Sequence, residues 1–178
     1  MRTGPLMIKL PIFPKPYIFK AIQFKHIKNA NEYWILDTGA LLRILPNLDS
    51  VIYRIDKGFY KLCIPEIVIR QTVLHLSKSY QDKKERNIST SGIITGMLNF
   101  LRFLKNDVKI VAHPNEIPNH LKAEYERYME DKILVYLLKE GGFKGIVTQD
   151  YKLIKKIKGQ FAVLSPDKLL SAMTQIDP

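Results

Sequence analysis

The chain has 178 residues, enough for one domain that buries a hydrophobic core without disulfide bonds. A single cysteine, Cys63, excludes a disulfide framework and favours a reducing compartment, so we expect a cytoplasmic protein. The formal net charge of +11 favours a polyanionic partner, of which nucleic acid is the commonest in a cytoplasm.

Residues 1–31 form a basic extension that contains several prolines, and we assign residues 32–178 to one domain. Prolines interrupt the apolar N-terminus, and no apolar run approaches the ~20 residues of a membrane span, so we expect no membrane segment. The alternation of apolar and basic residues in "YIFKAIQFKHI" (17–27) predicts a strand or hairpin. Its aromatic side chains could stack on RNA bases, but we favour a hairpin packed on the domain with its lysines outward.

Strands and helices alternate after the extension. Five short apolar runs predict buried strands: "EYWILD" (32–37), "YKLCIP" (60–65), "VKIVA" (108–112), "GIVT" (145–148) and "QFAVLS" (160–165). Most intervening segments have helical spacing, with one long helix over 119–141, no helix assigned to 47–59 and a polar loop over 81–91. This pattern predicts an α/β fold, a three-layer α/β/α sandwich around a mostly parallel sheet of about five strands.

Two aspartates follow predicted strands at the point where each strand ends. Asp37 closes "EYWIL", and Asp150 follows "GIVTQ". Ligands and catalytic groups of open parallel sheets collect at the carboxyl ends of the strands, so these positions suit a functional site. Each aspartate could instead be an N-cap of the helix that follows it.

A third carboxylate lies in the long helix before the fourth strand. Asp131 precedes apolar residues at i+3, i+4 and i+7, which places it on the helix face that meets the sheet. Alternatively, Asp131 is partly exposed and paired with Arg127 or Lys132, and Glu130 is the inward carboxylate. Converging carboxylates without a cysteine or histidine cluster predict a hard cation with oxygen ligands, Mg²⁺ or Mn²⁺.

The stretch "LDTGA" (36–40) also matches the way a retroviral-type aspartic protease presents its catalytic aspartate. Such a protease is an all-β dimer with a glycine-rich flap. The helical spacing of "ALLRIL" (40–45) and the helices predicted further along the chain make this a remote alternative.

Most of residues 33–170 resembles the PIN domain family, a metal-dependent nuclease fold. The resemblance is carried by "ILDTGAL" (35–41), "IPEIVIRQTVLHL" (64–76), "MEDKILVYLL" (129–138) and "IVTQDYKLIKKI" (146–157), and the closing "GQFAVLSPDKLL" (159–170) also fits. It implies an endoribonuclease that hydrolyses RNA phosphodiester bonds, as a toxin-like RNase or an RNA-processing factor.

Two residues depart from the family pattern. Gln71 stands where the family usually has a glutamate, so it offers a carbonyl oxygen but no charge to a metal. Gly39 stands where a small polar residue is usual. The departures leave open a second hypothesis, an RNA-binding module of the same fold that lacks nuclease activity.

The resemblance also implies roles for individual residues. Asp37, Asp131 and Asp150 are expected to hold Mg²⁺ or Mn²⁺, and Thr148 to position water or phosphate. Supporting contacts are expected from Thr38, Gln71 and Glu130. The RNA backbone is expected to contact Lys78, Lys83, Lys84 and Arg86, together with Lys15, Lys20 and Lys25 of the extension. Expected protein partners are an antitoxin or a ribonucleoprotein, and the apolar helix over 91–105 could support a homodimer.

Overall fold

The computed structural model describes residues 5–113 and 116–171. Residues 1–4, 114–115 and 172–178 lie outside the described residues. The strands are β1 (Pro5–Ile8), β2 (Tyr17–Lys20), β3 (Tyr33–Leu36), β4 (Lys61–Pro65), β5 (Lys109–Val111), β6 (Gly145–Val147) and β7 (Ala162–Leu164). The α-helices are α1 (Thr38–Ile44), α2 (Leu48–Asp56), α3 (Glu66–Glu85), α4 (Ser91–Leu104), α5 (Lys122–Glu126), α6 (Glu130–Gly141), α7 (Tyr151–Ile157) and α8 (Pro166–Ser171).

The five strands predicted from the apolar runs form one parallel sheet in the order β5-β4-β3-β6-β7. Right-handed connections place α1 to α4 on one face and α5 to α7 on the other. Contacts of α1 with α3, of α3 with α4, and of α5 with α6 agree with this arrangement. The protein is therefore a three-layer α/β/α sandwich, as predicted, and not the all-β fold that an aspartic protease of the retroviral type requires.

The strand order reverses its direction between β3 and β6. From β3 the chain moves outward through β4 to β5, and it then crosses to the other side of β3 to form β6 and β7. The register pairs Leu36 with Val147, so the carboxyl ends of β3 and β6 lie side by side. A crevice forms at such a switch point because the connections leave the sheet in opposite directions. Asp37 and Thr148, the next residues after these strands, therefore meet there.

β6 approaches its neighbours closely at Gly145. A Cβ atom at this position would collide with the carbonyl oxygen of Ala162 on β7 and with the Trp34 ring on β3. The absence of a side chain lets the three strands pair at this point. It thereby fixes the position of Thr148, three residues further along the chain.

The N-terminal extension forms the hairpin that the alternating pattern favours. β1 and β2 pair in antiparallel fashion, and Leu6, Ile8 and Phe19 are buried in the common core. A further backbone bridge joins Ile22 to Val111 at the edge of the main sheet. The extension therefore covers the edge strand β5, which would otherwise present unpaired backbone groups.

The helix boundaries differ from the sequence prediction at residues 81–85. α3 continues through Glu85, so this segment is helical and not the loop that its polarity suggested. Its residues, Gln-Asp-Lys-Lys-Glu, include good helix formers but no apolar stripe. Apolar periodicity therefore does not indicate a helix in this segment. The basic residues predicted to bind RNA are thus spread along the end of a helix.

The long helix predicted over 119–141 is interrupted. α5 ends at Glu126, α6 begins at Glu130, and Tyr128 between them adopts a left-handed conformation with φ of 55°. The backbone N–H of Met129 donates to the carbonyl oxygen of Glu124 at 2.8 Å and closes the end of α5. No glycine or proline marks this break in the sequence, so the pattern gave no signal for it.

Two further predictions concern Cys63 and the membrane. Cys63 is fully buried in β4, as expected of a small hydrophobic residue, and burial raises the pKa of its thiol. No helix within residues 5–113 and 116–171 is long and apolar enough to cross a membrane.

Candidate active site

Asp37 lies at the carboxyl end of β3 and is buried with 3% of its surface exposed. Its Oδ1 accepts a hydrogen bond from the Ala40 N–H at 2.6 Å, so Asp37 is the N-cap of α1. Its Oδ2 accepts a hydrogen bond from the hydroxyl of Thr148, which follows β6. Asp37 therefore joins the two strands at the switch point, and its capping role does not exclude a functional role.

Thr148 connects Asp37 to Asp150. While its hydroxyl donates to Asp37, its oxygen accepts a hydrogen bond from the Asp150 N–H at 3.0 Å. Asp150 in turn caps α7, since its Oδ1 accepts from the Lys152 and Leu153 N–H groups at 2.8 and 3.2 Å. Among the described residues no hydrogen bond reaches Asp150 Oδ2, and the side chain is solvent-exposed. Asp150 thus presents one carboxylate oxygen at the rim of the site.

Glu130 is the carboxylate of α6 that faces the strands. Its Oε1 accepts a hydrogen bond from the Thr38 N–H at 3.2 Å, and its Oε2 accepts one from the Thr38 hydroxyl. Asp131 is 36% exposed in its side chain and pairs with Lys156 of α7 at 3.0 Å. The prediction that Asp131 faces the sheet is wrong, and the alternative of a partly exposed Asp131 with Glu130 inward is right, although the partner of Asp131 is Lys156 and not Arg127 or Lys132. Glu130 faces inward because its i+3, i+4 and i+7 neighbours are all buried on the inner face of α6.

Burial and mutual repulsion disfavour negative charge at this edge of the sheet. Desolvation raises the pKa of Asp37 against the hydrogen bonds that lower it, and Asp150 and Asp131 raise it further. Desolvation likewise raises the pKa of Glu130 to about 7, with additional repulsion from Asp37 and Asp131. Four carboxylates are thus close enough to perturb one another, a condition that a bound cation would relieve.

A cavity of about 410 Å³ opens beside two of these carboxylates, Glu130 and Asp131, whereas Asp37 and Asp150 do not line it. Glu130 and Asp131 line it from α6, Gln71 lines it from α3, and Lys156 lines it from α7. The remaining walls are Glu124, Arg127, Tyr128, Met129 and Lys132. Sequence reasoning identified the acidic side of this cavity but did not assign Lys156 to it, although "DYKLIKKIKG" (150–159) is visibly basic.

Gln71 reaches the same cavity but serves the fold. Its side-chain amide donates a hydrogen bond to the carbonyl oxygen of Tyr128, the residue with the left-handed backbone. Glu66, five positions earlier, is buried. Its Oε1 accepts a hydrogen bond from Arg70 at 2.6 Å, and its Oε2 accepts one from the Tyr125 hydroxyl at 2.5 Å. Gln71 therefore ties α3 to the α5–α6 junction, and Glu66 does not replace the missing carboxylate at the site.

We expect Gln71→Glu to destabilise the protein instead of improving a metal site. Glutamate cannot donate to the Tyr128 carbonyl, and its carboxylate would face that oxygen in a partly buried position. The expected loss is about 1–3 kcal/mol of unfolding free energy, the cost of leaving a buried polar group without its partner. Chemical denaturation at pH 7 measures it, with Gln160→Glu as the control, because Gln160 is exposed and its side chain makes no hydrogen bond among the described residues. Equal stability of the two variants would contradict this role for Gln71.

The predicted RNA-binding residues of α3 lie away from Gln71 and the cavity that it lines. Lys83 and Arg86 follow Gln71 by three to four helical turns, a separation of roughly 20 Å along α3. Lys78 and Lys84 occupy the same half of α3, and Lys15 and Lys20 are exposed on the hairpin. The last of the set, Lys25, pairs with Glu116 at 2.5 Å.

The aromatic residues of the extension contact one another and the core, which disfavours RNA stacking on them. Phe13 and Tyr17 form an edge-to-face pair at 5.2 Å, and Phe19 is buried. Phe24 packs against His113 and Tyr136. The hairpin therefore uses its aromatic rings for packing and keeps its lysines outward.

The donor chemistry of the site fits a hard divalent cation, although no preformed cage is present. Within residues 5–113 and 116–171, no three His, Cys, Asp or Glu side chains are grouped closely enough to hold a metal ion. The available metal-binding atoms are nevertheless all carboxylate oxygens, and the pKa values of Asp37 and Glu130 are raised. The positively charged side chain beside them is Lys156, which pairs with Asp131. Asp37, Glu130 and Asp150, with Asp131 at the rim, are the residues that could hold Mg²⁺ or Mn²⁺.

Fold and site define a class of protein, a parallel three-layer α/β/α domain with acidic residues at its switch point. The chain is similar to a solved structure, that of PAE2754 from Pyrobaculum aerophilum, with a TM-score of 0.54 and 23% sequence identity. The similarity covers 82% of this chain and 90% of that chain, and at this identity it concerns the fold alone. No family model matches the chain, and no curated protein matches it.

Proposed function

We propose that the protein is a metal-dependent endoribonuclease of the PIN type that acts on single-stranded RNA in the cytoplasm. The observation that carries the proposal is the meeting of Asp37, Glu130 and Asp150 at the switch point, where Thr38 and Thr148 orient them. Buried carboxylates with raised pKa values are typical of functional sites and are unfavourable for folding alone. The resemblance of four sequence segments to that family supports the same conclusion.

Asp37, Glu130 and Asp150 would hold Mg²⁺ or Mn²⁺. A bound ion would activate a water molecule and neutralise charge on the phosphodiester. Thr148 keeps the Asp37 carboxylate in one orientation, and Thr38 does the same for Glu130. Lys156 balances Asp131 at the rim and attracts a phosphate to the edge of the cavity.

The net charge of +11 supports a nucleic acid as substrate. A reacting strand must enter a crevice at the edge of a sheet, so we propose single-stranded or looped RNA. The product ends expected from the family resemblance are a 5′-phosphate and a 3′-hydroxyl. An antitoxin or ribonucleoprotein partner, and a homodimer, stay open predictions.

A specific observation favours a second candidate, an RNA-binding module of the same fold without nuclease activity. The Gln71 amide donates a hydrogen bond to the Tyr128 carbonyl oxygen and carries no charge. Gln71 therefore contributes no charged metal ligand to the cavity from α3. The site then has one carboxylate fewer than the family usually provides, which lowers its expected affinity for a metal.

Cleavage of a labelled single-stranded RNA in Mn²⁺, compared with EDTA, tests the proposal. We expect cleavage in Mn²⁺ that EDTA abolishes, and a loss of about a hundredfold in Asp150→Asn. Asp167→Asn is the matched control, because Asp167 is 65% exposed in its side chain and pairs with Arg43 away from the cavity. Tight RNA binding without cleavage, unchanged in Asp150→Asn, would instead support the binding module.

A further inference from the structure

A second cavity, of about 460 Å³, lies along α6. Four of its lining residues, Lys132, Val135, Tyr136 and Lys139, follow one another at the spacing of a single helix face. Lys156 borders it from α7, and His120 and Leu121 border it from the turn before α5. We name it the lysine groove, and its volume is that of a small-molecule site.

The lysine groove is continuous with the carboxylate cavity. Lys132 and Lys156 line both cavities and form the ridge between them. On the carboxylate side, Lys132 pairs with Glu124 at 2.6 Å and Lys156 pairs with Asp131 at 3.0 Å. A chain that leaves the carboxylates across this ridge enters the groove directly.

The groove combines an apolar floor with a cationic border. Leu121 is buried, Val135 and Tyr136 are partly buried, and none of the lining residues is acidic. Lys139 is exposed, and no carboxylate pairs with it among the described residues. An apolar surface bordered by cations complements a planar base attached to phosphates, since the base contacts the floor and the phosphates contact the lysines.

We infer that the lysine groove binds the base of a nucleotide adjacent to the cleaved phosphodiester, with Lys139 on the backbone phosphate of that nucleotide. The position relative to the cleaved bond rests on the proposed function, whereas the binding of a single-stranded nucleotide does not. The groove thereby gives the RNA a path along α6, away from the basic end of α3.

Binding of a fluorescent single-stranded RNA of about 12 nucleotides, measured by anisotropy in EDTA, tests the inference without cleavage. We expect Lys139→Glu to weaken binding about tenfold and to reduce the slope of log K against log salt by about 0.7. Lys109→Glu, the same change at an exposed position on the edge strand β5, is the control. Equal affinities and slopes for the two variants would overturn the inference.

A second measurement tests base binding. We move one abasic nucleotide along the RNA and expect one position at which wild-type affinity falls about tenfold, the size of a lost base contact. Val135→Trp fills the floor, so the loss at that position should disappear in this variant. No sensitive position in the wild type overturns base binding even if Val135→Trp does not fold. Competition by polyglutamate as strong as by RNA would assign the groove to an acidic protein segment instead.

The same RNA in Mn²⁺ separates this inference from the proposed function. Groove-dependent binding without any cleavage by the wild type would reject the nuclease and retain the groove. Mn²⁺-dependent cleavage with binding that is unchanged in Lys139→Glu, and no sensitive abasic position, would retain the nuclease and reject the groove.

Discussion

Asp37→Asn should lower Mn²⁺-dependent RNA cleavage about a hundredfold while leaving the folded protein as stable as the wild type, or more stable. A metal ligand contributes several kcal/mol to such a reaction, and about 1.36 kcal/mol corresponds to a factor of ten in rate. The stability follows from the raised pKa of Asp37, because folding places an ionised carboxylate in a less favourable environment than water. Asparagine keeps the shape and, through its Oδ1, the cap of α1 without the charge, while its Nδ2 donates to the Thr148 oxygen in place of accepting from that hydroxyl.

Asp37→Ala separates the two roles of the residue. Alanine cannot accept the hydrogen bond from the Ala40 N–H, so this variant should lose about 1 kcal/mol of unfolding free energy through the missing N-cap. Both variants should be equally inactive, and only alanine should be less stable. Cleavage kinetics and urea unfolding at pH 7 measure the two quantities. An active Asp37→Asn protein would show that Asp37 serves only as a cap.

Four strands of the main sheet, β3 to β6, could be predicted from the sequence because they are largely buried on both faces. Continuous apolar runs such as "WIL" before Asp37 and "IV" before Thr148 are the signal of such strands. β7 forms as predicted, but two of its three residues are exposed, so the expectation of a buried strand is wrong there. Once the strands are known to be parallel, the residues after them must meet at one edge of the sheet. Asp37 and Asp150 could therefore be placed at one edge of the sheet, whereas their proximity depends on the adjacency of β3 and β6 in the strand order.

The helical part of the site could not be predicted with the same certainty. Glu130 and Asp131 are adjacent on α6, so which of them faces the strands depends on where the helix begins and how it docks. That start is set by the left-handed Tyr128 and by the Gln71 amide that holds its carbonyl, a contact over 57 positions in the chain. Periodicity describes one helix at a time and carries no information on such a contact.

Two helical segments were also not predicted from the apolar pattern of the sequence. The end of α3 carries no apolar stripe, and α2 (Leu48–Asp56) was not predicted as a helix although Val51 and Ile55 are buried on one of its faces. The consequence for function is direct. A basic cluster assumed to be a loop near the site is the exposed end of a helix that runs away from it, and this leaves α6 and α7 as the basic elements nearest the carboxylates.

The stability difference between the wild type and Glu130→Gln should fall as the pH rises from 5 to 8. The opposing effect of buried His113, whose pKa burial lowers to about 3, is the same in both proteins. The pKa of Glu130 is raised from 4.5 to about 7, so the folded protein binds a proton more tightly than the unfolded chain. The stabilisation by this proton is complete below about pH 4.5, and it is lost as the pH rises through 7. The loss is about 3 kcal/mol, at about 1.36 kcal/mol for each pH unit between the two values. It corresponds to a fall of roughly 6–12 °C in melting temperature.

A divalent ion should reverse this loss, because it favours the ionised carboxylates that repel one another without it. We therefore expect Mg²⁺ or Mn²⁺ to raise the melting temperature of the wild type at pH 8 and to have little effect at pH 5, where protons compete. Glutamine can accept from the Thr38 N–H through its oxygen and donate from its amide to the Thr38 hydroxyl oxygen, but it carries no charge. Glu130→Gln should therefore respond weakly to the ion at either pH. Glu126→Gln, an exposed change on α5, should behave like the wild type. A stability difference between the wild type and Glu130→Gln that is independent of pH and of the ion would show that the carboxylates at the switch point are structural.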